Sequence, residues 1–117
     1  MGYLTTHVLD SANGIPGAGI SIKLFYIENN KSKLISSCVT NDDGRCDGPL
    51  LEGEAFVKGI YQLEFNIGDY YRVKSSISSE PDFLNTVVIR FGVSKESEHY
   101  HIPLLVSPYS YSTYRGS

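Results

Sequence analysis

Residues 20–28 read ISIKLFYIE. Ile20, Ile22, Leu24 and Tyr26 fall on alternate positions, with Ser21, Lys23 and Phe25 between them. Successive side chains of a strand point to opposite faces, so this stretch predicts a strand with one apolar face. NNKSK at 29–33 supplies turn residues, and LISSCVT at 34–40 is a second run of strand formers. The expected unit is a β-hairpin.

The same signals repeat outward from it. YLTTHVL at 3–9 reads as a strand, followed by the turn-rich loop DSANGIPGAG at 10–19. NDDGRCDG at 41–48 is a polar turn. GIYQLEFNI at 59–67, LNTVVIRFGV at 84–93, HYHIPLLV at 99–106 and YSYSTYR at 109–115 complete about seven short strands. GDYYRVKSS at 68–76 predicts one short helix. Turn signals every 8–12 residues or so imply an all-β, two-sheet β-sandwich. Pro103 inside the 99–106 segment predicts an edge strand or a bulge, because proline cannot donate to the ladder. An apolar edge at 102–106 would invite a second copy.

The chain of 117 residues is expected to be a single domain over 1–117. A chain of this size buries roughly 65% of its unfolded surface, enough for one core. Net charge is −3, and no basic stripe is present, which argues against nucleic acid and anionic membranes as partners. No apolar run reaches the ~18 residues that a membrane span needs. MGYLTTHVLD lacks a charged n-region and an apolar h-region, so a cytoplasmic location is expected. Cys38 and Cys46 are the only cysteines, and without a secretory signal they read as free thiols.

Chemistry concentrates on the histidines. Alternation puts His99, His101 and Pro103 on one face of their strand, and His7 on a face with Thr5 and Leu9. Three readings of the pair stand side by side: polar residues on a solvated face, a three-histidine zinc site completed by His7, or acid–base work by imidazoles that titrate near neutrality. Arg45 follows Gly44 in a tight turn, where its guanidinium is either solvated or a planar donor fork for a carbonyl or oxyanion. NDDG lacks the ligand spacing of a calcium loop. Phosphate loops, nucleophile elbows and Cys-x-x-Cys pairs are absent.

Together, LTTHVLD (4–10), GRCDGPLL (44–51) and HYHIPLLVSPYSYSTYRGS (99–117) resemble the 5-hydroxyisourate hydrolases, also called transthyretin-related proteins. The resemblance spans the chain, and its most specific mark is the terminal Tyr-Arg-Gly-Ser. It implies a transthyretin-like sandwich of two four-stranded sheets with one short helix, assembled as a homotetramer, a dimer of dimers, with active sites where dimers meet. It implies hydrolysis of 5-hydroxyisourate to 2-oxo-4-hydroxy-4-carboxy-5-ureidoimidazoline, on the route from urate to allantoin, without a cofactor or metal. By motif, the site residues are His7, Arg45 and His101 for catalysis. His7, Arg45, Tyr114 and Ser117 would bind substrate, and His99, Arg115 and Gly116 would support them. The rivals are a transthyretin-like carrier that binds a small ligand without chemistry, a zinc hydrolase, and an adhesive immunoglobulin-like sandwich.

Overall fold

The computed structural model describes residues 1–74 and 80–116. Its strands are β1 (Tyr3–Asp10), β2 (Ile15–Pro16), β3 (Ser21–Glu28), β4 (Lys31–Val39), β5 (Leu51–Glu52), β6 (Gly59–Asn66), β7 (Thr86–Val93), β8 (His99–Val106) and β9 (Tyr111–Thr113). A short 3-10 turn covers Gly53–Ala55, and the helix α1 covers Ile67–Lys74. One sheet runs β4-β3-β6-β7 and the other β2-β1-β8-β9, with β5 added against β1. The expected all-β sandwich with one helix is present. The second sheet has five strands rather than four, because the two-residue strands β2 and β5 both pair with β1. They are too short to leave a periodic signal.

The apolar alternation of residues 20–24 fills the core. Ile20, Ile22 and Leu24 are fully buried, and Tyr61, Leu63, Phe65 and Val87 meet them from β6 and β7. Leu4, Val8, Ile102, Leu104 and Val106 fill the facing sheet. Each such side chain removed from water stabilises the fold by about 1.5–3 kcal/mol. The hairpin turn is tighter than NNKSK suggested. Asn29 and Asn30 alone make it, both at positive φ (53° and 62°), so β4 starts at Lys31. Asparagine tolerates that conformation better than most residues, and a two-residue turn of this hand matches the strand twist. The β3–β4 register then slips between Leu24 and Phe25, a bulge that leaves Ile35 without a partner.

The helix was expected over 68–76 and is found one residue earlier, with Ser75 and Ser76 outside the described residues. Its Tyr70 and Tyr71 hydroxyls donate to the fully buried Asp10 carboxylate, each at 2.7 Å. Burial opposes ionisation of Asp10, but hydrogen bonds from Asn13, Tyr71 and Tyr70 outweigh it and hold its pKa below the ordinary carboxylate value. The end of β1 is thereby locked to the helix.

Two expectations are corrected. First, β8 is not an edge: β1 flanks it on one side and β9 on the other. Pro103 is tolerated there because its missing N–H faces β9. His101 and Gly116 exchange backbone hydrogen bonds, and Leu104 pairs with Thr113, but the ladder is interrupted at Pro103, whose carbonyl accepts from the Thr113 hydroxyl at 2.7 Å. Proline therefore shortens β9 to three residues, where 109–115 was expected. Second, Cys38 and Cys46 are not free thiols but form a disulfide. The 41–45 turn folds back on the end of β4 and brings their Cα atoms to 6.0 Å, inside bridging range.

Candidate active site

β1 and β8 pair in parallel, with Tyr3 opposite His99, Thr5 opposite His101 and His7 opposite Pro103. The inward positions of both strands, such as Leu4, Val8, Ile102 and Leu104, are buried in the core, so Tyr3, Thr5, His7, His99 and His101 share the outer face of the sheet. The parallel register fixes who meets whom. His7 Nδ1 lies 2.6 Å from His101 Nε2, and the rings are nearly parallel at 18°, with centroids 4.8 Å apart. His101 Nδ1 lies 2.7 Å from Thr5 Oγ1, which also reaches His99 Nε2 at 2.6 Å. His99 stacks on Tyr3 with centroids 4.1 Å apart. Four side chains thus form one hydrogen-bonded row, His99–Thr5–His101–His7.

The third strand-like neighbour of this row is the turn that carries Arg45. Arg45 forms an isolated backbone bridge with His7, and Val8 N donates to Gly44 O at 2.8 Å. Asn41 shapes the turn: its Oδ1 accepts from Asp43 N at 2.9 Å and Arg45 N at 3.1 Å. Asn41 N also donates to Arg45 O at 2.8 Å, and Cys46 is tied to β4 by the disulfide. The backbone of Arg45 is held while its side chain stays exposed.

Burial and positive charge both work against protonating these imidazoles. Desolvation, then the Arg45 guanidinium, lowers the pKa of His7. Desolvation, His7, Arg45 and His99, in that order, push His101 down to about 4. Both rings are therefore neutral at pH 7, the form that can accept a proton. The fold favours neutral His101, so above pH 6.5 folded and unfolded chains both hold it neutral and it contributes no pH dependence. As pH falls from 6.5 to about 4, the unfolded chain takes up a proton that the folded chain refuses, and stability declines. Thermal melts from pH 7.5 to 4 are expected to show Tm falling across that window, and a flatter fall in His101→Asn. Equal slopes in the two proteins would remove His101 as the source.

The tail meets β8 at His101 through Gly116, but not all of its described residues reach the histidines. Gly116 N donates to His101 O at 2.7 Å, and a Cβ at Gly116 would press on the His101 ring at 3.2 Å. Arg115 acts as a clasp: it reaches Glu98 Oε1 at 3.1 Å and His99 O at 3.2 Å, and its guanidinium lies 4.0 Å from the Tyr100 ring centroid. The ion pair is about half exposed and adds little by itself. Tyr114 is 61% exposed and lines a cleft of about 310 Å³ with Ile89, Phe91, Tyr100 and Arg115. Among the described residues its hydroxyl has no bond to His7, His101 or Arg45. Ser117 lies outside the described residues. His99 touches Thr5 rather than His7 or Arg45.

The histidine nitrogens do not converge as zinc ligands would. His101 turns one nitrogen to His7 and the other to Thr5, and no metal-ligating group of three His, Cys, Asp or Glu occurs among the described residues. Sequence reasoning missed Thr5, although alternation had placed it on the face of His7. It also missed Asn41, whose position before Asp-Asp-Gly is an ordinary turn signal.

Known proteins are similar to this chain over nearly its whole length. Residues 4–116 match the HIUase/Transthyretin family. A Pseudomonas aeruginosa 5-hydroxyisourate hydrolase is 60% identical over 117 residues, covering 100% of this chain and 93% of that protein. A crystal structure of (S)-allantoin synthase superimposes with a TM-score of 0.93 at 45% identity, over 99% of this chain; the chain spans 44% of that protein's length. Sea bream transthyretin in complex with thyroxine superimposes with a TM-score of 0.86 at 25% identity, over 97% of this chain and 93% of the other. None of the described helices is long and apolar enough to cross a membrane. With a two-sheet sandwich, a family match over residues 4–116 and 60% identity to a relative over the whole chain, this chain belongs to the HIUase/Transthyretin family.

Proposed function

We propose that the protein is a 5-hydroxyisourate hydrolase, a cyclic amide hydrolase that opens the six-membered ring of its substrate to give 2-oxo-4-hydroxy-4-carboxy-5-ureidoimidazoline in urate degradation. The observation that carries the reading is the His7–His101 hydrogen bond beside the Arg45 turn, with both imidazoles held neutral. Ring opening needs a deprotonated water, a stabilised oxyanion and a protonated leaving nitrogen. The His7–His101 pair takes the water proton and returns it to the nitrogen. Arg45 lies against the carbonyl oxygen, where a fixed donor stabilises developing charge by about 3–4 kcal/mol. No cofactor is required for these steps. Tyr114 and Ser117 are assigned to substrate binding, with Gly116 and Arg115 holding the tail in place.

The histidine row lies on an outer sheet face, which provides one wall of a site. The proposal closes it with the same face of another dimer, in a homotetramer of transthyretin-like single domains. It places the protein in the cytoplasm. There the Cys38–Cys46 pair would meet a reducing pool, and alkylation of intact cells followed by mass measurement reads whether the bond persists.

The test generates 5-hydroxyisourate with urate oxidase, adds this protein and follows the ultraviolet decay. The expected result is decay faster than the spontaneous blank, in proportion to protein concentration. Saturable binding of the substrate with no acceleration would replace the reading with that of a carrier.

A further inference from the structure

Thr5 has no part in the site as the resemblance describes it, yet its hydroxyl lies between two imidazoles, 2.6 Å from His99 Nε2 and 2.7 Å from His101 Nδ1. A hydroxyl carries one proton. It can donate to only one of the two rings, so at least one of the facing nitrogens must carry hydrogen, and the tautomers of His99 and His101 are not independent. The coupling extends further, because the second nitrogen of His101 is bonded to His7.

We propose that Thr5 is a positioning residue that fixes which nitrogen of His101 bears hydrogen and joins His7, His101 and His99 into one proton wire. Run head to tail, with the Thr5 proton on one ring and a lone pair toward the other, the row has two neutral polarities. In one, Thr5 donates to His99, His101 Nδ1–H donates to Thr5, His7 Nδ1–H donates to His101, and His7 Nε2 is bare. In the other, every bond is reversed and His7 Nε2 carries hydrogen. The first is ready to act as a base and the second as an acid. Hydrolysis needs both in succession.

Resting on the hydrolase reading, the step balances as follows. Water loses a proton to His7 Nε2, and its oxygen forms a bond to the ring carbonyl carbon. His7 Nδ1–H passes to His101 Nε2, His101 Nδ1–H to Thr5 Oγ1, and the original Thr5 proton to His99 Nε2. The excess charge now rests on His99, past His101, whose surroundings disfavour a cation. When the carbon–nitrogen bond breaks, the same shifts run backward and the leaving nitrogen takes the proton from His7. No atom is gained or lost by the row, and His101 need not hold the charge.

The experiment compares Thr5→Val, which keeps the shape and removes the hydroxyl, with Thr5→Ser, which keeps the hydroxyl. Thr5 is on the outer face of β1, so neither change opens a core cavity. Nitrogen NMR of the three labelled histidines reads ring protonation without substrate. The wire predicts that Thr5→Val changes the nitrogen shifts of both His99 and His101, and that Thr5→Ser leaves them as in the parent. In the ultraviolet assay, Thr5→Val should lower kcat by about 10-fold or more with KM nearly unchanged, short of the 10²–10⁴ that full loss of acid–base catalysis costs, and Thr5→Ser should restore most of it. Parent-like histidine shifts in Thr5→Val would overturn the proposal whatever the enzyme acts on. Altered shifts with a parent-like kcat would leave Thr5 structural and overturn the wire. Absence of activity in the parent protein would count against the hydrolase reading instead, with the NMR result still deciding the tautomer assignment.

Discussion

Replacing His101 with asparagine is expected to lower kcat by about 10²–10⁴-fold, the range that positioned acid–base groups contribute. Both ring nitrogens of His101 are engaged, one with Thr5 and one with His7. Asparagine can occupy the strand position and offer an amide, but it cannot take up and release a proton near neutrality. It also breaks the row in the middle, so His7 loses the partner that sets its tautomer. The fold should survive, because His101 is on the outer face of β8 and its core neighbours Tyr100, Ile102 and Leu104 remain. Initial rates of ultraviolet decay and a thermal melt, taken on the same preparation, separate chemistry from folding. A kcat within a few-fold of the parent would end the assignment of acid–base work to this residue.

The second large effect is expected in the turn. Gly44 has φ of +73°, and a Cβ there would collide with the Val8 carbonyl oxygen and come within 3.1 Å of Gly17 N. That carbonyl already accepts from Gly17 N at 2.9 Å, so the backbone has little room to retreat. Left-handed backbone for a residue with a side chain costs about 1–3 kcal/mol, and with the collision Gly44→Ala should lose about 2–4 kcal/mol of stability. Its turn also carries Arg45, so activity should fall as well. Arg45→Ala is the control: its side chain is exposed and its backbone bonds remain, so Tm should hold while kcat drops by about 10²–10³. If Arg45→Ala turned over at a near-normal rate, the oxyanion role would be wrong.

Much of this was legible in the residues. Alternation at Ile20, Ile22 and Leu24, and at His99 and His101, predicted the buried and outer faces correctly because a strand imposes its period locally. What local period cannot tell is which strand lies alongside. Pro103 looked like an edge signal, and its true meaning depends on which neighbour its absent N–H would have faced. The parallel pairing of β1 with β8 joins residues 96 apart in sequence, and nothing in LTTHVLD specifies it. The site had the same division. His7, Arg45 and His101 came from the family pattern, whereas Thr5 required the register that puts it beside His101. The disulfide was missed because a separation of 8 in sequence says little about distance until the 41–45 turn is drawn.

That parallel pairing also orders events in time. Every side-chain bond of the histidine row spans 94 to 96 residues, nearly the full chain. Closing so long a loop is an entropic cost that few local contacts offset, which slows folding of such topologies. On the ribosome, the β3–β4 hairpin and the β6–β7 pair can form from contiguous chain, while the histidine row waits until β8 has emerged. Catalytic competence is then among the last properties the molecule acquires, and regain of turnover after dilution from denaturant would clock the joining of β1 to β8 rather than collapse of the core.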